Sequence, residues 1–274
     1  MFVKLKKLLI SLLSVSIILV NAQNIFSESK KNVFGVAPGP YGDLIKQAVK
    51  PGLEKKGYKV ELKEFSDYVQ PNLALANKSI NANAFQHSVY LEKFSADKGL
   101  KLSSLITIPT ASLGVYSKKF KSLSEIKDGS SVTIANDPTN LARALKYLET
   151  LGLIKIKSDI DPTKASEKDV AENPKKLKIQ PIEAAQLPRS IESADFSLVN
   201  GNYAISAGIW STAIHRETLI EGHINLIAVR TEDIDKQFAK DIKDVVLSNE
   251  FLDVVNDPKN IFKDFQKPEW LLKK

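Results

Sequence analysis

The stretch 33–65, VFGVAPGPYGDLIKQAVKPGLEKKGYKVELKEF, decides the fold class. Val33 to Ala37 is a short apolar run that stops at Pro38-Gly39-Pro40, the pattern of a strand ending in a sharp turn. Leu44, Ile45, Ala48, Val49 and Leu53 then recur at helical spacing, and Gly57 supplies a stop. Tyr58 to Phe65 alternates in part through Val60, Leu62 and Phe65 and reads as a second strand. Strand, helix and strand in so short a span make a βαβ unit with a parallel pair.

Outward from this unit the alternation continues. Ala82 to Phe85 reads as a strand and Val89 to Lys98 as a helix. Ser131 to Ala135 reads as a strand and Thr139 to Leu151 as a helix. Leu177 to Ile182 and Phe196 to Val199 are further strands, each followed by a helical pattern. Ile224 to Val229 is an apolar strand, and Ile234 to Val255 a long amphipathic helix through Phe238, Ile242, Val245 and Val246. Asp159 to Pro174 is polar and reads as a surface excursion. The whole predicts an α/β protein with parallel-dominated sheets. Leu102 to Tyr116, interrupted by Pro109, and the strand Ile224 to Val229 are the natural places for the chain to pass between two lobes. The expected division is 32–116 plus 222–274 for one lobe and 117–221 for the other.

The N-terminus reads as a secretory signal, 1–22. Lys4, Lys6 and Lys7 form a basic segment, Leu8 to Val20 an apolar one, and Val20-Asn21-Ala22 a cleavage site after Ala22. The expectation is an exported protein of the periplasm or cell envelope. The 274 residues contain no cysteine. This excludes disulfides, a thiol nucleophile, a cysteine-bound metal and a lipid-bearing cysteine, since Gln23 follows the predicted cut. Net charge is +7, spread over many lysines. No dense basic tract with interleaved aromatics appears, so no nucleic-acid partner is expected. His87, His215 and His223 lack metal-ligand spacing, and no nucleophile elbow, P-loop or dinucleotide fingerprint is present. The chain therefore reads as a non-enzyme with no metal and no cofactor.

Ligands of open α/β sheets bind beyond the carboxyl ends of the strands. Asn83-Ala84-Phe85-Gln86-His87 leaves one such strand, with Tyr90 a turn later. Asn136-Asp137-Pro138-Thr139-Asn140 leaves another. There Asp137 can cap a helix with Pro138 in its first turn, and the free N–H groups of that helix favour a carboxylate. Arg143 shares a helix face with Asn140 and can pair bidentately with a carboxylate. Each residue also has a simpler reading: capping for Asp-Pro-Thr-Asn, surface for Arg143, core for Phe85.

Several longer strings carry a resemblance. Glu64 to Asn72 (EFSDYVQPN), Ile80 to His87 (INANAFQH), Ala135 to Asn140 (ANDPTN), Glu183 to Ser190 (EAAQLPRS) and Val199-Asn200 resemble, in order and spacing, the methionine-binding lipoprotein (NlpA) family, and the resemblance runs from about Val33 to Val255. It implies a two-lobed, periplasmic-binding-protein-like α/β fold with a ligand cleft between the lobes. It implies a function: delivery of methionine, a methionine derivative or a methionyl dipeptide to an ABC permease in the inner membrane. Carried over residue by residue, it implies a thioether pocket from Tyr68, Phe85, His87 and Tyr90. Asn140 and Arg143 would hold the amino-acid backbone from the second lobe, with Asn200 and Asn225 completing a polar clamp. Arg189 reads as structural. The chain departs from the family in lacking the lipid-bearing cysteine, in Tyr41 where a histidine is usual, and in the poorly matching stretches 202–221 and after Val255. These departures feed an alternative, an exported surface or adhesion protein on the same scaffold with a lost or repurposed pocket.

Overall fold

The computed structural model describes residues 30–273, and the predicted signal segment lies outside them. Its framework is two five-stranded sheets. The first comprises β1 (Lys30–Val36), β2 (Tyr58–Glu64), β3 (Ala82–His87), β4 (Leu102–Thr107) and β12 (Asn225–Arg230), in the order β2-β1-β3-β12-β4. The second comprises β5 (Gly114–Tyr116), β6 (Ser131–Ala135), β9 (Lys178–Ile182), β10 (Phe196–Val199) and β11 (His215–Arg216), in the order β11-β5-β10-β6-β9. The excursion expected at 159–174 is largely exposed and carries 3-10 turns and β8 (Val170–Glu172), which pairs with β7 (Lys155–Ile156).

The opening βαβ unit is present, with β1 and β2 parallel over seven residue pairs. Its connecting helix runs through Pro40–Leu44, a π-helical turn Ile45–Val49 and Lys50–Lys55. The π turn ends two residues before Pro51, which has no N–H for the regular ladder. The sheets are mixed rather than parallel-dominated. In the first, β1 pairs parallel with β2 and β3, whereas β12 runs antiparallel to β3 and β4. In the second, β6 pairs parallel with β9 and β10, whereas β5 is antiparallel to β10 and β11. The antiparallel members flank the two crossings between sheets, where the chain enters from the opposite side rather than over a helix.

The crossings are 108–113 and 217–224, between β4 and β5 and between β11 and β12. The expected first lobe ended at residue 116, but β5 pairs within the second sheet. The C-terminal segment ties the crossings together. Gln266 exchanges backbone hydrogen bonds with Thr110 (2.9 and 3.0 Å), and its side-chain amide bonds both the N–H and the carbonyl of Leu219 at 2.6 Å. The long helix expected over 234–255 is two, Gln237–Val246 and Asn249–Asn256. Ser248 starts the second by accepting from the Phe251 N–H, the usual action of an N-cap serine. Both pack on the first sheet's core, with Ile242, Val246, Phe251 and Val255 fully buried.

A separate core, including Val115, Val132, Ile134, Leu145 and Phe196, lies under the second sheet. The first core continues across the space between the sheets to Tyr116, Val199 and Tyr203, so the two halves are closed on each other. Among the described residues no helix is long and apolar enough to cross a membrane.

Candidate ligand-binding site

Between the sheets lies a cavity lined by all eight residues singled out from the sequence, together with Tyr41, Gln86, Ala111, Gly201 and Asn202. It is narrow, about 20 Å³, room for roughly one water molecule. Its walls differ in chemistry.

The wall on the first sheet is aromatic. Phe85 and His87 leave the end of β3, a strand buried at all six positions. Behind them, Asn72, Asn83 and Gln86 close a buried amide cluster with bonds of 2.7–2.9 Å, which locks the strand to the helix Gln70–Ala76. The Phe85 ring lies 5.8 Å from Tyr68 and 6.0 Å from Tyr90, the latter edge-to-face. The Tyr90 hydroxyl donates to the Tyr68 carbonyl at 3.0 Å. Burial pushes the hydroxyl pKa of Tyr68 and Tyr90 upward, so both rings stay neutral. His87 caps the helix Ser88–Lys98, its Nδ1 accepting the Tyr90 N–H at 3.1 Å. Nε2 faces Asn140 Oδ1 at 3.4 Å, which places the proton on Nε2. Burial, then the charges of Arg143 and His223, push His87 well below the ordinary histidine range.

The wall on the second sheet is polar. The helix Pro138–Thr150 begins where β6 ends, and Asp137 caps it by accepting the Asn140 N–H at 3.0 Å. One of the N–H groups expected to meet a ligand carboxylate, that of Asn140, is thus taken by the protein's own carboxylate. Asn140 donates from Nδ2 to both Asp137 oxygens, and its Oδ1 accepts from Asn200 Nδ2 at 3.0 Å. Asn200 Oδ1 is buried with no hydrogen-bond partner among the described residues. Asn225, the first residue of β12, donates from Nδ2 to the Phe85 carbonyl at 3.1 Å, which leaves Oδ1 as its acceptor.

Arg143 is buried, not a surface residue. Nε donates to both oxygens of Glu217 (3.2 and 3.0 Å) and Nη2 to Oε2 (2.6 Å), while Nη1 has no protein partner among the described residues. Burial pushes the Glu217 carboxyl up, but the Arg143 charge and the His223 contact outweigh it and hold it at about 2. His223 Nδ1 stands 3.7 Å from Glu217 Oε1, and burial lowers its pKa.

Contacts also cross from wall to wall. The Tyr68 hydroxyl donates to Asn202 Oδ1 at 2.6 Å, and Asn202 Nδ2 donates to the Pro38 carbonyl at 2.9 Å. Gly39 sits at φ 120°, and a Cβ there would lie 2.4 Å from the Asn202 carbonyl oxygen. The Pro38-Gly39-Pro40 turn is therefore where the second half presses on the first.

Sequence reasoning missed Asn202 and Glu217, both inside the poorly matching stretch 202–221. It flagged Tyr41 only as a departure, although that ring is fully buried against the cavity and its hydroxyl accepts the Ala111 N–H at 3.2 Å. Arg189 is exposed and outside the cavity. Among the described residues no cluster of histidine, aspartate and glutamate could hold a metal ion.

Two α/β halves joined by two crossings and closed on a polar-aromatic cavity have the architecture of a two-lobed binding protein. Comparison with known proteins makes this specific. Residues 33–270 match the NlpA lipoprotein model. The D-methionine-binding lipoprotein MetQ of Salmonella typhi is 41% identical over 228 residues, 81% of this chain and 83% of that protein. A nutrient-binding protein from Burkholderia cenocepacia, solved bound to methionine, superposes with a TM-score of 0.78 at 40% identity, covering 82% of this chain and 95% of that one. A periplasmic substrate-binding protein of an ABC transporter from Coxiella burnetii gives 0.78 at 37% identity, covering 85% and 97%. The chain belongs to the NlpA lipoprotein family, with that family's two-lobed α/β fold. It is a substrate-binding protein, not an enzyme.

The same names overturn one expectation. The absent cysteine implied a cell-envelope protein without a lipid anchor, but the family and its relatives are lipoproteins by name. An exported, cell-envelope protein is what these names support. Absence of one residue type says nothing of the class of protein a fold belongs to.

Proposed function

We propose that the chain binds methionine, a methionine derivative or a methionyl dipeptide in this cavity and hands it to an ABC permease in the inner membrane. One observation carries the reading. Asn200 Oδ1 is a buried acceptor without a partner among the described residues, on the same wall as Arg143 and opposite the aromatic set. A zwitterionic amino acid supplies what these groups lack: a carboxylate for the guanidinium and an ammonium for the amide oxygens. The rings of Tyr68, Phe85 and Tyr90 suit a thioether, each contact contributing about 0.3–1.5 kcal/mol. The Salmonella relative is named for D-methionine and the Burkholderia protein holds methionine, the same ligand class. The Coxiella protein is named as part of an ABC transporter. The buried, complete polar set weighs against a scaffold that has lost its pocket.

On this reading the two lobes are those expected, 32–116 plus 222–274 and 117–221, except that β5 (Gly114–Tyr116) moves with the second. A cavity of about 20 Å³ admits an amino acid only when the walls part, so binding is a cycle of opening and closure about the two crossings.

The test is a thermal-shift and calorimetric panel on ligand-stripped protein: all amino acids, both methionine enantiomers and methionyl dipeptides. A ligand at 100 times its dissociation constant should stabilise by about 2.7 kcal/mol. If no methionine-containing compound shifts the melting temperature, the reading is wrong.

A further inference from the structure

We propose that Glu217 is the positioning and charge-selecting residue of this site: it holds Arg143 from behind so that the guanidinium's remaining face meets the ligand, and it cancels the arginine charge so that the closed cavity takes a ligand of no net charge. The inference rests on the methionine reading above.

The geometry separates the two residues. Arg143 lines the cavity and Glu217 does not, yet their side chains are only 5% and 10% exposed. A guanidinium has five N–H donors. Glu217 takes the one on Nε and one on Nη2, which leaves the second Nη2 hydrogen and both on Nη1. The Nη2 hydrogen and one of those on Nη1 form the other planar fork, the face that matches a second carboxylate. Glu217 therefore does not compete with the ligand but fixes the plane in which the ligand's carboxylate is met. Glu217 is itself anchored, its backbone N–H bonding the Leu113 carbonyl at 2.9 Å. Leu113 and Glu217 belong to the two crossings between the sheets, so the ligand-facing arginine is braced against the hinge rather than against its own helix.

The charge count follows from the same contacts. His87 and His223 are pushed below the ordinary histidine range by burial and stay neutral, and Asp137, which like Glu217 lies outside the cavity lining, is held by the Thr139 and Asn140 donors of its own helix cap rather than by the arginine. Arg143 and Glu217 are then the charged pair at the site, and their sum is zero. A zwitterion keeps it at zero. A carboxylate lacking the ammonium, or an ammonium lacking the carboxylate, brings one unbalanced charge into a water-poor space, where it is poorly screened.

The experiment compares full-length wild-type protein with Glu217→Gln and Glu217→Asp. Calorimetric titration uses three probes of nearly equal size: L-methionine, 4-(methylthio)butanoate without the ammonium, and L-methionine amide without the carboxylate charge. Wild type should prefer L-methionine. Glu217→Gln should weaken L-methionine and shift the butanoate-to-methionine affinity ratio upward by about tenfold or more, with the amide falling furthest. Glu217→Asp keeps the charge on a shorter arm, so it should weaken all three while holding the ratios of wild type. Should the glutamine variant not fold, wild type alone tests the charge rule: binding of the butanoate or of the amide as tightly as L-methionine overturns it. A merely structural glutamate would move all affinities together. Ratios in Glu217→Gln equal to those of wild type overturn the inference and leave the methionine reading standing. A folded wild type that binds none of the three probes removes the inference, and the methionine reading falls with it only if D-methionine and the methionyl dipeptides fail as well.

Discussion

The two walls of the cavity are built by different physics. On the first sheet, Tyr68, Phe85 and Tyr90 contribute ring surface, and the amide cluster of Asn72, Asn83 and Gln86 holds them rigid from behind. On the second, Asn140, Arg143 and Asn200 contribute donors and acceptors, several already committed to one another. An aromatic wall loses little when a ligand is wrong, because dispersion falls off contact by contact. A buried polar wall loses a great deal, because each unmet group keeps its desolvation penalty. Specificity should therefore reside in the second wall and affinity be shared between both.

The sharpest way to break this comparison is Arg143→Ala. Truncating one partner of a buried charged hydrogen bond costs about 2–5 kcal/mol of binding. The same change strands Glu217, whose carboxyl is held at about 2 by its partners. Removing one member of a buried pair typically costs about 3–5 kcal/mol of stability, so the unliganded melting temperature should fall as well. Arg143→Ala combined with Glu217→Gln should recover part of the stability and none of the binding. Urea unfolding and calorimetry on wild type and the two variants measure this. Full binding in Arg143→Ala would show that the second wall does not carry specificity.

Asn200→Ala comes next. It removes an acceptor that has no partner among the described residues and the Nδ2 bond to Asn140 Oδ1, which still faces His87 Nε2, so stability should fall by about 1 kcal/mol while binding falls by about 1–3 kcal/mol. A large loss of stability with unaltered affinity would make Asn200 a support for Asn140 rather than a ligand contact.

The aromatic wall predicts a smaller effect. Phe85→Leu keeps an apolar side chain but removes a ring, so methionine should lose about 0.3–1.5 kcal/mol. Norleucine, which has a methylene in place of the sulfur, should lose less. The gap between the two ligands should therefore narrow. If it stays constant, the ring acts by shape alone.

How much of this was legible in the sequence depends on distance along the chain. The βαβ unit was readable because Val33 to Phe65 changes period within one short stretch, and Phe85, His87, Tyr90, Asn140 and Arg143 because they lie at or just past strand ends, whereas Tyr68, Asn200 and Asn225 came only from the family resemblance. The mixed sheets were not readable, since the direction of β12 is set by where the chain returns after crossing. Nor was Glu217. It lies 74 residues from Arg143, in a segment of 3-10 turns and a two-residue strand where no hydrophobic period exists to be followed. A single acidic residue in such a stretch has no distinguishing local pattern. The division of the helix at Ser248 was within reach, because a serine between two apolar runs is a cap signal, but the even spacing on both sides hid it.

The smallest effect is expected at a carboxylate that belongs to the second half and not to its wall. Asp195 accepts from the Ser131 N–H at 2.7 Å and pairs with Lys119 at 2.7 Å, outside the cavity lining. The bond from Lys119, then that from the Ser131 N–H, lowers its pKa from 3.8 to about 2. The folded value lies below the unfolded one, so its contribution is present above about pH 4 and is lost as pH falls towards 2. The pair is partly exposed, so Asp195→Asn should cost about 1 kcal/mol or less at pH 7, a difference that should shrink as pH falls to 2. Methionine affinity at pH 7 should be unchanged, because no atom of the polar wall moves with it. Thermal unfolding from pH 2 to pH 7, with a titration at the upper end, would show both. A loss of affinity in this variant would mean that the second half transmits strain to its binding face, and specificity could then no longer be assigned to the wall residues alone.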